Sequence, residues 1–218
     1  MQTNYPLVRR IKETLLGSAP RPTRIALGAY RGVVRRMAPH NTVQVRWGLW
    51  ERETYGYLRK ALSAAWVIDV GSGWGEMCAL FAMKSRAAPI YAVDPKDADK
   101  TADTLALSGV ADKVTVLGCL IGAKPDLPLD DIAVSPGRGF IKIDVDGAEM
   151  DVFESGRTLL AEHKPMILLE THSAELERQC QAFLEGLGYR CTIIPNAWWR
   201  KVIPERRAID HNRWMWAE

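Results

Sequence analysis

The stretch Val67-Ile68-Asp69-Val70-Gly71-Ser72-Gly73-Trp74-Gly75 constrains the chain more than any other. A short apolar run, read as a buried strand, enters a turn with glycine at every second position, and a helical stretch follows over 75–85. Glycine accepts positive φ and lets backbone come close to a neighbour or ligand. The start of the following helix adds partial positive charge, which suits a carboxylate or phosphate. A dinucleotide fingerprint, G-x-G-x-x-G, would place its last glycine at position 76. Glu76 stands there instead, and its charge would repel a pyrophosphate. A plain tight turn from strand to helix is the remaining alternative.

Downstream, short apolar runs alternate with helical stretches. Strands are expected over 65–70, 89–93, 113–117, 140–145, 166–170 and 189–194. Helices are expected over 96–107, 148–162 and 174–187. Continuous apolar strands alternating with helices indicate a mostly parallel sheet, covered by helices on both faces. Upstream, two amphipathic helices are expected, Tyr5–Leu16 and Thr23–Met37, the second capped by Thr23 and spaced by Ile25, Ala29, Val33 and Met37. The expected organisation is therefore a basic helical arm over 1–63, an α/β domain over 64–194 and a tryptophan-rich segment over 195–218. That last segment, with Trp198, Trp199, Trp214 and Trp216, reads as an antiparallel edge hairpin or as a flap over the domain.

In an open parallel sheet, ligands sit outside the carboxyl ends of the strands. Asp94 ends the second strand, 25 positions after Asp69. A carboxylate there can accept both hydroxyls of a ribose; capping the following helix is the alternative, a task Asp97 could also perform. Gly118 and Cys119 form the tip of the third strand. The fourth strand, Phe140-Ile141-Lys142-Ile143, ends in Asp144-Val145-Asp146-Gly147-Ala148-Glu149. The fifth ends in Leu168-Leu169-Glu170-Thr171-His172. Asp144, Asp146 and Glu149 should crowd the crevice of Gly71–Gly75.

The turn after the first strand, with Asp69 before it, is similar to the first motif of class I methyltransferases that use S-adenosylmethionine (SAM). The two later motifs, together with Trp47-Gly48-Leu49-Trp50-Glu51, resemble the FkbM-type methyltransferases over about residues 47–194. Two positions depart from that family's pattern: Asp146 stands where glutamate is usual, and Gly118 where asparagine is often found. The resemblance implies a Rossmann-like class I methyltransferase sheet, mostly parallel, of about seven strands. It also implies transfer of a methyl group from SAM, mostly to a hydroxyl of a sugar, a lipid-linked glycan or a secondary metabolite. Carried over by position, Gly71, Gly73 and Gly75 would line the methionine part of SAM, with Ser72 and Trp74 between them. Asp69 would help hold its amino group, and Glu51 would close over the amino-acid end. Asp94, followed by Pro95, would take the ribose, while Gly118 and Cys119 would lie toward the adenine.

Methyl transfer to oxygen needs a positioned nucleophile and a base. His172 and Asp144 are the candidate bases, with Glu170 as orienter; a helix cap is the plainer reading of His172. Asp144 and Glu170 could alternatively hold Mg2+. The metal-free reading is preferred, and a chelator is then expected to leave turnover intact. N-methylation and nucleic-acid methylation are the runners-up. The Asn/Asp-Pro-Pro-Tyr/Phe motif of amino-methylating enzymes is absent after the fourth strand, where Asp144-Val145-Asp146-Gly147 stands. A silent SAM-binding module and a nicotinamide-dependent oxidoreductase are the other classes weighed.

The charge is uneven. Residues 1–60 carry twelve Lys/Arg and three acids; residues 61–218 carry seventeen and twenty-three. Arg31, Arg35 and Arg36 could grip a phosphate-bearing or lipid-linked acceptor or touch an anionic membrane, could face water, or could meet the acidic body itself. The pairs Trp198-Trp199-Arg200-Lys201 and Arg213-Trp214-Met215-Trp216 could stack on a sugar or base, or cover the core. His40, His163 and His211 are read as surface residues. The four cysteines form no C-x-x-C pair, which fits a reducing cytoplasm. The first ten residues lack an apolar run, so no secretory leader is expected, and no stretch reaches the roughly 20 apolar residues of a membrane span.

Overall fold

A computed structural model describes residues 13–14, 17–39, 43–123, 126–197, 211 and 213–218. Its centre is a seven-stranded sheet in the order β5-β4-β3-β6-β7-β9-β8. The strands are β3 (Val67–Val70), β4 (Ile90–Val93), β5 (Thr115–Leu117), β6 (Phe140–Ile143), β7 (Met166–Thr171), β8 (Cys191–Ile194) and β9 (Arg213–Ala217). β5 to β7 pair in parallel, and β9 runs antiparallel between β7 and β8. The chain steps outward from β3 to β4 and β5, then returns to the other side of β3 with β6. The crevice of a doubly wound sheet opens at that reversal, between β3 and β6.

Side chains alternate between the two faces, as the period of two requires. Val67, Phe140, Met166, Leu168, Trp214 and Trp216 belong to one buried cluster. Ile68, Val70, Ile141, Ile143, Ile167, Leu169 and Met215 belong to the other. The first face is covered by α1 (Tyr55–Ala61), α2 (Glu76–Lys84) and part of α3 (Ala98–Leu107). The second is covered by α4 (Glu149–Ser155), α5 (Arg157–His163) and α6 (Ala174–Gly186). The single helix expected over 148–162 is two helices, broken at Gly156. A Cβ there would lie 2.5 Å from Leu129 Cδ2, so the close approach of Leu129 requires glycine at the break.

The second expected helix of the arm is not formed. Residues 21–37 are an antiparallel hairpin, β1 (Arg21–Arg24) and β2 (Val34–Met37). Thr23 therefore caps no helix; its hydroxyl donates to the Arg21 carbonyl at 3.0 Å. The spacing of four that suggested a helix also satisfies a period of two. Ile25, Val33 and Met37 are indeed all buried, but from extended backbone and the turn between. Gly28 (φ +85°) and Gly32 (φ +102°) shape that turn in a conformation a helix does not use. The first expected helix, Tyr5–Leu16, lies almost wholly outside the described residues, as do His40, Trp198, Trp199, Arg200 and Lys201.

The hairpin is fastened to the body. The Val34 N–H donates to Ser108 Oγ at 3.0 Å, and that hydroxyl reaches the Val34 carbonyl at 3.2 Å. Arg36 pairs with Asp103 at 3.1 Å, and Arg35 with Glu76 at 2.6 Å. Of the roles weighed for the arm's arginines, contact with the acidic body is the one seen for these two. Where it is described, the tail pairs antiparallel with β8, as in the expected edge hairpin, and also with β7. β9 is internal to the sheet, and β8 beside it is the edge. Trp214 and Trp216 are buried in the core, Trp216 ringed by Tyr57 and Phe140. His163 packs edge-on against Trp66, and His211 reaches Glu177 at 3.1 Å, so neither is a bare surface residue. All four cysteines are unpaired thiols. No helix among the described residues is long and apolar enough to cross a membrane.

Candidate active site

Gly71, Gly73 and Gly75 all have positive φ, at 78°, 53° and 77°. At Gly71 a Cβ would fall 1.8 Å from the Asp144 carbonyl oxygen, and at Gly75 2.8 Å from Thr101 Cγ2. These two glycines let β3 pass close to the end of β6 and let α2 pack on α3. At Gly73 a Cβ would meet nothing within 4 Å, so the turn opens into space there. The turn's amides are largely used internally. Gly71 and Ser72 donate to the Val93 carbonyl, Gly75 to the Ser72 carbonyl, and Gly73 to Asp94 Oδ2 at 2.9 Å. Ser72 is buried and shares a hydrogen bond with the Thr101 hydroxyl, which also donates to the Gly73 carbonyl. Trp74 is 38% exposed, and the Arg35 guanidinium and the Lys100 ammonium both lie over its ring.

Asp94 stands at the end of β4, half-buried beside this turn. Oδ2 holds Gly73, while Oδ1 accepts from Lys96 N at 2.8 Å and Asp97 N at 2.7 Å. Asp94 therefore braces both the glycine turn and the approach to α3. Pro95 beside it is exposed. Gly118 and Cys119 follow β5; Gly118 faces Ala98, and Cys119 packs against the second core face.

On the first face of the sheet, the strand ends carry a charged row. Asp69 and Lys142 are register partners on β3 and β6. The Lys142 ammonium lies 3.5 Å from Asp69 Oδ1 and 3.3 Å from Asp144 Oδ2, and donates to the Gly71 carbonyl at 3.2 Å. Burial works to lower its pKa, but Asp144, Asp69, Glu51 and Glu170 outweigh that and hold it charged. Burial raises Asp69, against the pull of Lys142. Burial also pushes Glu51 up to about 8, with Asp144 and Glu76 adding to it against Lys142. Glu170 rises to about 10 through burial and the negative Asp144 beside it. Asp144 itself is lowered: burial opposes ionisation, but Lys142 and a hydrogen bond from Glu170 prevail. The expected cofactor residues Glu51, Asp69 and Asp144 thus come together with Glu170 around a single lysine. Lys142 was not singled out in the sequence; its signal was a lone charge inside an otherwise apolar buried strand.

His172 lies just past β7 with its side chain 9% exposed. Nδ1 is 2.6 Å from Glu149 Oε1, a carboxyl that is fully buried. Nε2 points into the carboxylates, 3.3 Å from Asp146 Oδ1, 3.6 Å from Asp144 Oδ1 and 4.0 Å from Glu170 Oε2. The hydrogen bond that orients the ring thus comes from Glu149; Glu170 faces the ring's other nitrogen. Burial alone would lower the His172 pKa, yet the bond to Glu149 and the charges of Asp144 and Asp146 raise it. Ser173, not His172, caps α6, accepting from Leu176 N at 3.0 Å.

The strand order, the antiparallel β9 and the glycine turn at the reversal define a class I methyltransferase fold, and comparison with known proteins agrees. The chain is similar to a crystal structure of a methyltransferase FkbM from Methylobacillus flagellatus, at 21% identity and TM-score 0.61, over 78% of this chain and 46% of that one. It is similar to a SAM-dependent O-methyltransferase from Thermotoga maritima, at 15% identity and TM-score 0.54, over 77% and 64%. A third likeness is to the O-methyltransferase TomG from Streptomyces achromogenes in complex with SAM, at 14% identity and TM-score 0.52, over 76% and 77%. The chain spans about half the length of the Methylobacillus protein. No curated protein matches it. A family model described as the methyltransferase FkbM domain matches residues 123–191, the stretch that carries β6, β7 and their acidic ends. The FkbM-type resemblance is thereby borne out.

Proposed function

We propose that the protein is a SAM-dependent methyltransferase acting on a hydroxyl oxygen. The observation that carries this is the acid-rich crevice beside the glycine turn. Two carboxylates, Asp69 and Asp144, pair with one ammonium, Lys142, at the reversal of the sheet, and Glu51 and Glu170 add to the negative field on it. Such an excess of carboxyl groups, Asp69 and Glu170 among them buried, suits a cationic ligand, and Asp69 Oδ1 lacks a hydrogen-bond donor. A sulfonium nucleoside with an ammonium at its tail fits both features. Backbone amides take three of the roughly four lone pairs of Asp94, and the one left on Oδ2 can accept from a ribose hydroxyl. The open side of the turn at Gly73 leaves room for the amino-acid part, with Glu51 and Asp69 near its ammonium. When bound, SAM supplies an activated methyl group with a neutral thioether as its leaving group.

The chain's own task is to place the acceptor in line and take its proton. The group of Asp144, Glu170 and His172 faces the crevice from the ends of β6 and β7 and is assigned that role. An oxygen acceptor is favoured because the segment after β6 is acidic and lacks the proline-aromatic motif that grips an amine. O-methylation by two structural neighbours accords with this.

Calorimetric titration with SAM, followed by methyl transfer from labelled SAM into a cell extract, tests the proposal. Stoichiometric binding and a labelled product stable to mild base are expected. Binding without product would mark a silent module, and tighter binding of NAD than of SAM would sink the assignment.

A further inference from the structure

The His172 ring is built into its place more firmly than a helix-end histidine requires. Its side chain is 9% exposed, and Nε2 has no hydrogen-bond partner although it is buried. That nitrogen lies 3.3 Å from Oδ1 of the exposed Asp146 and points inward at Asp144 and Glu170, at 3.6 and 4.0 Å, none of the three in hydrogen-bonding geometry. One donor atom from each of these three residues falls within 4.8 Å of the others. Donors around an ion at about 2.1 Å stand roughly 3.4 Å apart in a tetrahedron and roughly 4.2 Å apart across an octahedron. The ring's other nitrogen is fixed by the fully buried Glu149 at 2.6 Å. A carboxylate on the far nitrogen is how proteins aim a histidine at a metal and raise its basicity.

We propose that Asp144, Glu170 and His172 are the protein ligands of a divalent transition-metal ion, with Glu149 as the positioning residue. One imidazole and two carboxylates suit Mn2+, Fe2+ or Zn2+ better than Mg2+, which prefers oxygen alone. Lys142 faces Asp144 Oδ2, which leaves Oδ1 for the ion. This departs from the metal-free expectation, and the reason is tertiary. The two carboxylates could be read from the strand ends, but the orphaned nitrogen between them could not. The ion's role toward an acceptor, holding a hydroxyl and favouring its ionised form, rests on the methyl-transfer reading. Its binding does not.

The test is therefore a binding test. The full chain, stripped with chelator, is titrated with Mn2+ and followed by electron paramagnetic resonance, with Zn2+ as competitor. One saturable site per chain is expected, displaced by Zn2+. His172→Ala should weaken it at least tenfold, and Glu149→Gln by about 10–100-fold, the usual cost of losing such a partner. His163→Ala, at the opposite end of β7, should leave it unchanged. Spin-echo modulation of the bound Mn2+ in the unaltered protein should show a nitrogen ligand, which guards against variants that do not fold. No site at millimolar Mn2+, a site indifferent to His172→Ala, or a bound ion without nitrogen coupling would overturn the proposal. SAM binding is measured separately, so failure of one reading is distinguishable from failure of the other.

Discussion

Single residues in the crevice serve two purposes at once. Asp94 steadies three backbone amides and is also assigned the ribose. Asp94→Ala should weaken SAM by about 1–3 kcal/mol, the range for hydrogen bonds to a charged group. Calorimetry on Asp94→Ala and Asp94→Asn checks this, the second keeping one oxygen acceptor for the amides. Unchanged affinity in both would remove the ribose role. Glu51 offers a test by proton counting. Burial first, with Asp144 adding to it, raises its carboxyl from 4.5 to about 8, so it is mainly protonated at pH 7. A cation bound nearby favours the charged form, so SAM binding at pH 7 should release protons. SAM affinity should also rise as pH climbs toward 8. Titrations in buffers of different ionisation enthalpy read the release, and Glu51→Gln should remove most of it. The stability linkage has the opposite sign. A raised carboxyl makes the ligand-free fold lose stability between about pH 4.5 and about 8, and bound SAM should offset that loss.

Among the elements, the β1–β2 hairpin shows how a basic arm is used. Its strands present Arg35 and Arg36 to Glu76 and Asp103, at the first turn of α2 and on α3. Arg35 then lies over Trp74, in the glycine turn itself. The arm therefore bears on the glycine turn from outside. Ser108 is its main peg, engaging both the N–H and the carbonyl of Val34. Ser108→Ala should cost about 1–2 kcal/mol in urea denaturation, since it leaves the half-buried Val34 N–H without its acceptor. If undocking of the hairpin frees the turn, SAM affinity should fall in the same variant. Local sequence misled here for a definite reason. Apolar residues four apart satisfy both helix and strand, and Gly28 and Gly32 are tolerated by neither interior.

At the scale of the molecule, the last strand closes the sheet. β9 lies between β7 and β8, and Trp214 and Trp216 fill the face that also holds Phe81 and Phe140. Trp214→Ala should cost about 3–5 kcal/mol, the usual range for an aromatic removed from a core. Thermal denaturation checks this, and a loss under about 1 kcal/mol would place the tail outside the cooperative unit. Lys142, 6.0 Å above the Trp214 ring, would move with it, so the charged row depends on this strand as well.

The sequence alone determined the parallel sheet, the glycine turn and the acidic ends of two strands. Each is written in neighbouring residues, where a period of two, a missing Cβ or a charge beside an apolar run has a local meaning. Only the tertiary structure decided that residues 21–37 are a hairpin, that Trp214 and Trp216 are core, and that Lys142 joins Glu51, Asp69 and Asp144. It alone also brought Glu149 to the far side of the His172 ring, 23 positions away. Those outcomes turn on which groups from distant segments share a buried, low-dielectric space. There the energy of a charge or an aromatic ring is set by its partners and not by its sequence neighbours.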